Sequence, residues 1–222
     1  MKSERNHIYN LDCMLGMAEM PDDYIDLAIV DPPYGIGWDF GENSMAENNS
    51  KKWNSAKKTG YKKKDWDSDR PKKDYFIQLE RVSKNQIIWG GNYFSDYLKP
   101  TGGWIVWEKG VPDDMTLSQG ELAYNSCLNS LRIHKLLWAG FRKCEDSQRI
   151  HPTQKPVKLY EWLLTNYAKP GDLILDTHMG SGSSYIACLD MGFDYIGYEI
   201  DTGYFKAIED RVYHFTRQTS LL

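Results

Sequence analysis

The chain has 222 residues, a formal net charge of −4, 41% hydrophobic and 26% charged residues, values ordinary for a soluble globular protein that buries one core. No apolar run approaches a membrane span, the opening "MKSERNHIYN" has no apolar signal region, and Cys13, Cys127, Cys144 and Cys188 form no Cys-x-x-Cys pair. Neither a membrane span, a disulfide framework nor a zinc site is suggested, and the expectation is a cytoplasmic single domain over 1–222 with buried free thiols and no metal.

The first strong element is the apolar run "IDLAIV" (25–30), which reads as a buried strand, and it runs directly into "DPPY" (31–34). Asp31 then stands at the carboxyl edge of the strand. Pro32 and Pro33 lack a backbone N–H and fix φ near about −65°, which makes a rigid extended edge whose carbonyls are open acceptors. A carboxylate beside a proline carbonyl offers acceptors to both hydrogens of an –NH2 group, and Tyr34 offers a flat face to a planar ring. The stretch describes a clamp for an aromatic exocyclic amine such as N6 of adenine. Such an amine is a weak nucleophile because its lone pair is delocalised into the ring, and two acceptors localise that pair and aim it; the catalysis expected is positioning plus electrostatics. A base within a duplex reaches such an edge only when flipped out, and stacking on an aromatic side chain contributes roughly 1–3 kcal/mol per base.

Residues 39–70 are polar and aperiodic, too long for a simple connector, and read as a basic mobile loop. Residues 51–73 hold ten Lys or Arg and three Asp, a net of +7, so the rest of the chain carries −11. A basic segment on an acidic body is a footprint that nucleic-acid binders show. Tyr75, Leu79 and Val82 lie on one face of a helix that Pro71 is expected to start. "NQIIWGG" (85–91) and "GWIVWEK" (103–109) read as strands, with Trp89, Trp104 and Trp107 in the core. Residues 110–150 are a variable region with one further strand in "ELAYNSC" and a second candidate for contact with substrate. After Pro156, a stripe of Leu159, Trp162, Leu163 and Tyr167 predicts a helix. "DLILD" (172–176) and "DYIGYEI" (194–200) are strands flanking another helix, and Phe205, Ile208, Val212 and Phe215 mark a last one. Strands alternating with helices predict an α/β fold, a mostly parallel Rossmann-like sheet with helices on both faces.

The segment "DLILDTHMGSGSS" is a strand, a glycine turn and a helix start. Gly180 and Gly182 permit a tight turn and close backbone approach to a ligand, and in a doubly wound sheet that turn lies at the carboxyl end of the strand, where ligands bind. There is no Walker Gly-Lys-Ser/Thr, and Asp176 directly before the turn would repel a pyrophosphate. A ligand with a positive centre or amino group suits that acid. Glu199, ending the next strand, is placed to accept from ribose hydroxyls. S-adenosylmethionine carries all of these groups, although such a turn also serves simply to connect a strand to a helix.

Taken together, "DPPY", "HPTQKP" (151–156) and "DTHMGSGSS" resemble the DNA amino-methyltransferases, and the order resembles their beta group, in which the catalytic motif precedes the cofactor loop. The segments concerned, 7–38, 85–109 and 150–215, cover more than half of the chain. The resemblance implies a circularly permuted methyltransferase fold, S-adenosylmethionine as cofactor, DNA as partner, a possible homodimer and an origin in a phage or a bacterial restriction-modification system. It implies that Asp31 and the Pro32 carbonyl hold the target amine within Asp31, Pro32, Pro33 and Tyr34, and that Tyr34 stacks on the base. Asp12, after a short first strand, matches the acid that binds the cofactor's adenine amine. Asp176, Gly180, Ser181 and Gly182 match the cofactor loop, Glu199 the ribose ligand, and Thr153, Gln154 and Lys155 a segment at the methionine end, with Lys155 set to pair with its carboxylate. The family usually has Pro-Phe where this chain has Thr177-His178; His178 takes the Phe position as an aromatic ring or lies on the surface. His151 is expected to be a structural or cofactor-shell residue. Trp38 is placed to line the pocket of the flipped base, and Lys51, Lys52, Lys57, Lys58, Lys62, Lys63 and Lys64 to contact phosphates.

In the family that the chain resembles, an acid first in the motif leans towards N6-adenine. The alternatives are N4-cytosine, an RNA or glutamine-amide substrate, and a non-catalytic DNA-binding or partner subunit that keeps the fold.

Overall fold

The computed structural model describes residues 3–37, 67–115, 117–139, 142–145 and 149–219. The chain divides into two compact units, residues 1–32 with 72–222, and residues 33–71. The first contains, in chain order, β1 (His7–Tyr9), α1 (Cys13–Ala18), β2 (Ile25–Val30), α2 (Lys73–Val82), β3 (Ser83–Trp89), a 3-10 turn (Gly91–Phe94), β4 (Trp104–Glu108), β5 (Gly120–Asn125), β6 (Arg132–Lys135), β7 (Trp138–Ala139), β8 (Arg142–Lys143), α3 (Val157–Tyr167), β9 (Leu173–Asp176), α4 (Ser183–Met191), β10 (Asp194–Tyr198) and α5 (Thr202–Thr219). Eight strands form one sheet in the order β1-β10-β9-β2-β3-β5-β4-β6, and β7 and β8 form a small antiparallel pair. All pairings in the large sheet are parallel except those that β5 makes with β3 and β4. The mostly parallel sheet expected from the alternation of strands and helices is therefore present.

Because strand side chains alternate in direction, the register assigns each residue to a face. Leu27 pairs with Ile174, Ile29 with Ile87, Tyr195 with Ile174, Trp89 with Ala123 and Ile105 with Ala123. These residues share one face and one core cluster with Leu159, Tyr160, Leu163 and Leu164 of α3, Ala187 and Cys188 of α4, and Ile208 of α5. The opposite face is lined by the alternate positions. There α1 lays Gly16 against the Tyr198 ring, and the Tyr75 hydroxyl of α2 meets Thr177 Oγ1 at 2.6 Å. Helices thus pack on both faces. Near-continuous apolar strands such as IDLAIV, buried at both phases, are what a doubly covered parallel sheet requires.

Several expectations shift. α2 begins at Lys73, with Lys72 extended as its cap, so Pro71 lies before the cap rather than in the first turn. The strand expected over 85–91 is β3 at 83–89, because Gly90 turns left-handed (φ 67°) and opens the 3-10 turn. The region 110–150 holds not one further strand but β5, β6, β7 and β8. Trp89 and Trp107 are core residues, whereas Trp104, on the other phase of β4, is half-buried and packs edge-on against Tyr124 at 6.2 Å. All four cysteines are free thiols; Cys13 and Cys188 are buried, Cys127 and Cys144 only half-buried. Among the described residues no helix is long and apolar enough to cross a membrane.

Candidate active site

Strands β10, β9 and β2 are consecutive in the sheet, and each runs into an acid: Glu199, Asp176 and Asp31. Asp31 continues the phase of Leu27 and Ile29, Asp176 that of Ile174, and Glu199 that of Tyr195 and Gly197, so all three belong to the face covered by α3 and α4. The parallel pairing puts their carboxyl ends at the same edge of the sheet, which is where α/β sheets bind ligands.

Asp176 is buried, 1% exposed. Its Oδ2 accepts from Ser184 Oγ at 2.6 Å and its Oδ1 from the His178 amide at 3.0 Å. Since Ser184 gives its proton to the carboxylate, the Tyr195 hydroxyl, 2.9 Å away, donates to Ser184 in turn. Even so, burial pushes the Asp176 carboxyl up to about 7, and the neighbouring charges of Asp31 and Glu199 push the same way. A carboxylate held at such cost suits a cationic group placed against it.

The loop after β9 turns on glycines. Gly180 and Gly182 are left-handed, with φ of 53° and 70°, and a Cβ on Gly182 would stand 2.7 Å from Ile208 Cγ2. Only glycine fits that position without strain. The Gly180 amide donates to Glu199 Oε2 at 2.9 Å, and the Asp201 amide to Glu199 Oε1 at 2.8 Å. Arg211 of α5 donates to the Ser181 carbonyl at 2.7 Å and to Ser183 Oγ at 2.9 Å, which ties the loop to the last helix. Ser181 Oγ lies 3.1 Å from Ser183 Oγ. The His151 ring sits next to Gly180 and packs edge-on against Tyr204 at 4.4 Å.

Thr177 and His178 form a small network of their own. Thr177 Oγ1 meets the Tyr75 hydroxyl at 2.6 Å and His178 Nδ1 at 2.9 Å, and the His178 ring lies edge-on to Tyr75, centroids 5.3 Å apart. Desolvation holds the His178 imidazole down to about 4, so it is neutral at pH 7 and behaves as a packed aromatic. Asp12 is exposed and caps α1, its Oδ1 accepting from the Met14 amide at 2.9 Å.

The "HPTQKP" segment leads into α3, whose cap is Pro156. Thr153 approaches His151 Nδ1 with its hydroxyl at 3.1 Å and its amide at 3.3 Å. Gln154 is buried; its Oε1 accepts from the Ile150 amide at 3.0 Å and its carbonyl from Trp138 Nε1 at 3.1 Å. This fixed segment delivers Lys155 to the sheet. The buried Lys155 ammonium pairs with Asp31 Oδ2, lies 3.2 Å from Glu121 Oε2, and stands over the Trp89 ring, 5.4 Å from its centroid. Glu121 Oε1 pairs with Lys109. Charges therefore alternate in a row, Lys109, Glu121, Lys155, Asp31. Burial opposes ionisation of Glu121, yet Lys155 and Lys109 hold its carboxyl down to about 2; the two carboxylates keep Lys155 raised against the cost of its burial.

Glu121, Lys109, Ser184 and Arg211 are not singled out by the sequence, and Tyr75 is marked there only as a helix-face residue. For Glu121 a signal existed: it shares its strand phase with the buried Ala123 and Asn125, so it is a charge on a core-facing position. Lys109 likewise follows Ile105 and Trp107 in phase.

The remaining site residues belong to the second unit. Pro33 begins it, and the amides of Tyr34 and Gly35 both donate to Asp67 Oδ1, at 2.7 and 3.0 Å. The Gly37 amide donates to the Asp67 carbonyl at 3.1 Å, and Asp67 itself is buried. Asp67 thus pins the segment that follows the motif. Trp38, Lys51, Lys52, Lys57, Lys58, Lys62, Lys63 and Lys64 lie outside the described residues.

A family model described as DNA methylase, of the N6/N4 methyltransferase type, matches residues 47–210. The chain belongs to the N6/N4 DNA methylase family. The match takes in Lys155, Asp176, Gly180–Gly182 and Glu199, while Asp31 precedes it. Among the relatives, the chain is 27% identical over 210 residues to YubD of Escherichia coli (strain K12), provisionally named a methylase, covering 90% of this chain and 87% of that one. It is 22% identical over 237 residues to the type II methyltransferase M.HpaI of Haemophilus parainfluenzae, covering 88% and 70%. Two solved structures share the fold of this methylase. M1.HpyAVI, crystallised as its SAM complex, superimposes with a TM-score of 0.57 at 18% identity over 92% of this chain and 98% of that one. PvuII DNA methyltransferase, cytosine-N4-specific, gives 0.60 at 12% identity over 94% and 86%.

Proposed function

We propose that this methylase transfers a methyl group from S-adenosylmethionine to the N6 amine of an adenine flipped out of DNA. The observation that carries the reading is the convergence of Asp31, Asp176 and Glu199 at one sheet edge, with Asp176 buried at a cost that a cationic ligand relieves. S-adenosylmethionine supplies an electrophilic methyl group on a positively charged sulfur. The residues present fit it. Asp176 faces its positive end, and Gly180, Ser181 and Gly182 let the backbone approach. Glu199, held in place by the Gly180 and Asp201 amides, receives the ribose hydroxyls on its carboxylate. Thr153, Gln154, the His178 ring and the exposed Asp12 complete the cofactor set. In place of the expected pairing of Lys155 with the cofactor's carboxylate, we assign Lys155 to Asp31, which it contacts.

Asp31 and the Pro32 carbonyl accept the two hydrogens of the target amine and hold its lone pair in line, while Tyr34 stacks on the base. The carboxylate also lies where the amine's proton departs. The motif strand β2 precedes the glycine-loop strand β9 in the chain although the two are neighbours in the sheet, and we read this as the beta-group, circularly permuted arrangement. Residues 39–70 and 110–150 are the segments we assign to DNA contact.

A second reading, N4-cytosine, is favoured by the fold likeness to the cytosine-N4-specific PvuII enzyme. Incubating the protein with unmethylated DNA and S-adenosylmethionine, then identifying the modified nucleosides by mass spectrometry, separates the two. N6-methyladenine is expected, N4-methylcytosine would change the base, and no modified nucleoside would refute both. Asp31→Ala is expected to abolish transfer while calorimetry still detects cofactor binding; transfer at the parental rate would refute the clamp.

A further inference from the structure

Asp31 is not an isolated carboxylate. It ends a row of four side chains whose charges alternate, contributed by Lys109 after β4, Glu121 in β5, Lys155 before α3 and Asp31 after β2. All four lie on the sheet face that α3 and α4 cover. Lys155 is 4% exposed in its side chain, so its ammonium depends on the groups around it for stabilisation. The ammonium donates to Asp31 Oδ2, so its place sets the orientation of that carboxylate. Glu121 draws the ammonium the other way. Its Oε2 is sealed from solvent, and Lys155 Nζ lies 3.2 Å from it without hydrogen-bond alignment. Lys109 in turn fixes Glu121 through its other oxygen. The order of the row makes the hold on Asp31 a shared one.

We propose that Glu121, fixed by Lys109, is a positioning residue for methyl transfer: it anchors the Lys155 ammonium between two carboxylates, and that ammonium in turn fixes the orientation of Asp31 toward the target amine. The inference rests on Asp31 being the amine acceptor, and it assigns Glu121 and Lys109 a part beyond packing.

The test is Glu121→Gln, isosteric and uncharged, studied in the full chain with a DNA duplex that the parent methylates. The single-turnover rate at saturating S-adenosylmethionine and DNA is expected to fall at least tenfold, with the dissociation constants of both within twofold of the parent. Glu121→Asp, which keeps the charge, is expected to retain more of the rate than the Gln variant. A parental rate in Glu121→Gln would overturn the proposal. So would a rate loss matched by equal loss of cofactor binding, or an Asp variant no better than Gln, since a merely structural role would produce either. Should Glu121→Gln not fold, Lys109→Met decides: a rate lowered at least threefold supports the proposal and a parental rate overturns it. If the parent methylates no DNA, the Asp31 reading fails by itself, and crystal structures of the parent and Glu121→Gln then judge the anchor. Lys155 Nζ displaced from its parental position supports it; Lys155 unmoved on Asp31 overturns it.

Discussion

Replacing Asp176 with Asn is expected to stabilise the cofactor-free protein at neutral and alkaline pH while destroying its affinity for S-adenosylmethionine. In the folded protein the Asp176 carboxyl ionises at about 7, against 3.8 for the ordinary group. Unfolding at pH values between these two therefore releases a proton, and stability declines as pH rises across that window. The loss is complete above about 7 and absent below about 4. At about 1.4 kcal/mol per pH unit over some three units, the ionised carboxylate costs roughly 4 kcal/mol; its full burial leaves no solvent screening to discount. Asn carries no charge and still accepts from the His178 amide, but it meets Ser184 less well, at a cost of about 1–2 kcal/mol. The variant should thus exceed the parent by about 2–3 kcal/mol at pH 8 and fall below it by about 1–2 kcal/mol at the acid end of the range, near pH 4. Urea unfolding of both proteins at unit steps from pH 4 to 8, without cofactor, reads the difference directly. The same linkage requires that parental cofactor affinity rise with pH through about 7, as the carboxylate becomes available to the cation. A difference in stability that does not change with pH would refute the account of Asp176 as a strained buried carboxylate.

Gly182→Ala is expected to destabilise the fold by at least 1–2 kcal/mol from the left-handed backbone alone, with more from the contact at Ile208 Cγ2; thermal unfolding checks it, and an unchanged midpoint would refute the steric argument. For His178, an imidazole lowered from 6.5 to about 4 makes the folded state bind fewer protons than the unfolded one between those values, so stability is lost as pH falls through that range. His178→Phe removes this loss, worth about 3 kcal/mol by the same conversion, and should move the acid-unfolding midpoint to lower pH. Neutralising Lys51, Lys52, Lys57, Lys58, Lys62, Lys63 and Lys64 should weaken DNA binding alike on all sequences and flatten its salt dependence; weakening confined to one sequence in a binding assay would make the segment a reader of bases instead.

The apolar runs 25–30, 172–176 and 194–200 were legible as strands because a parallel sheet covered on both faces demands near-continuous apolar sequence, while in 103–109 burial alternates along β4. The helical stripes of α2, α3 and α5 were legible because their spacing follows the helix period. Boundaries moved where a left-handed glycine cut a run short, as Gly90 does after β3, or where a cap displaced a helix start, as Lys72 does before α2. The number of strands in 110–150 escaped notice because β6, β7 and β8 span only two to four residues each, too short for a period to register.

The site divides in the same way. Sequence by itself determined which residues can carry the chemistry: an acid and two prolines at a strand end, glycines that must turn left-handed, an acid ending the next strand. Those properties are local, set by side-chain type and backbone freedom. Tertiary structure alone decided who meets whom. Lys155 lies 124 residues from Asp31 in the chain, and only the docking of α3 on the sheet brings its ammonium to that carboxylate rather than elsewhere. Glu121 and Lys109 became part of the same row because β5 runs antiparallel between β3 and β4, a pairing that no local pattern encodes. The ionisation of Asp176 is likewise a property of the fold, since it depends on how much water the packed sheet and helices exclude and on the distance of two acids from other strands.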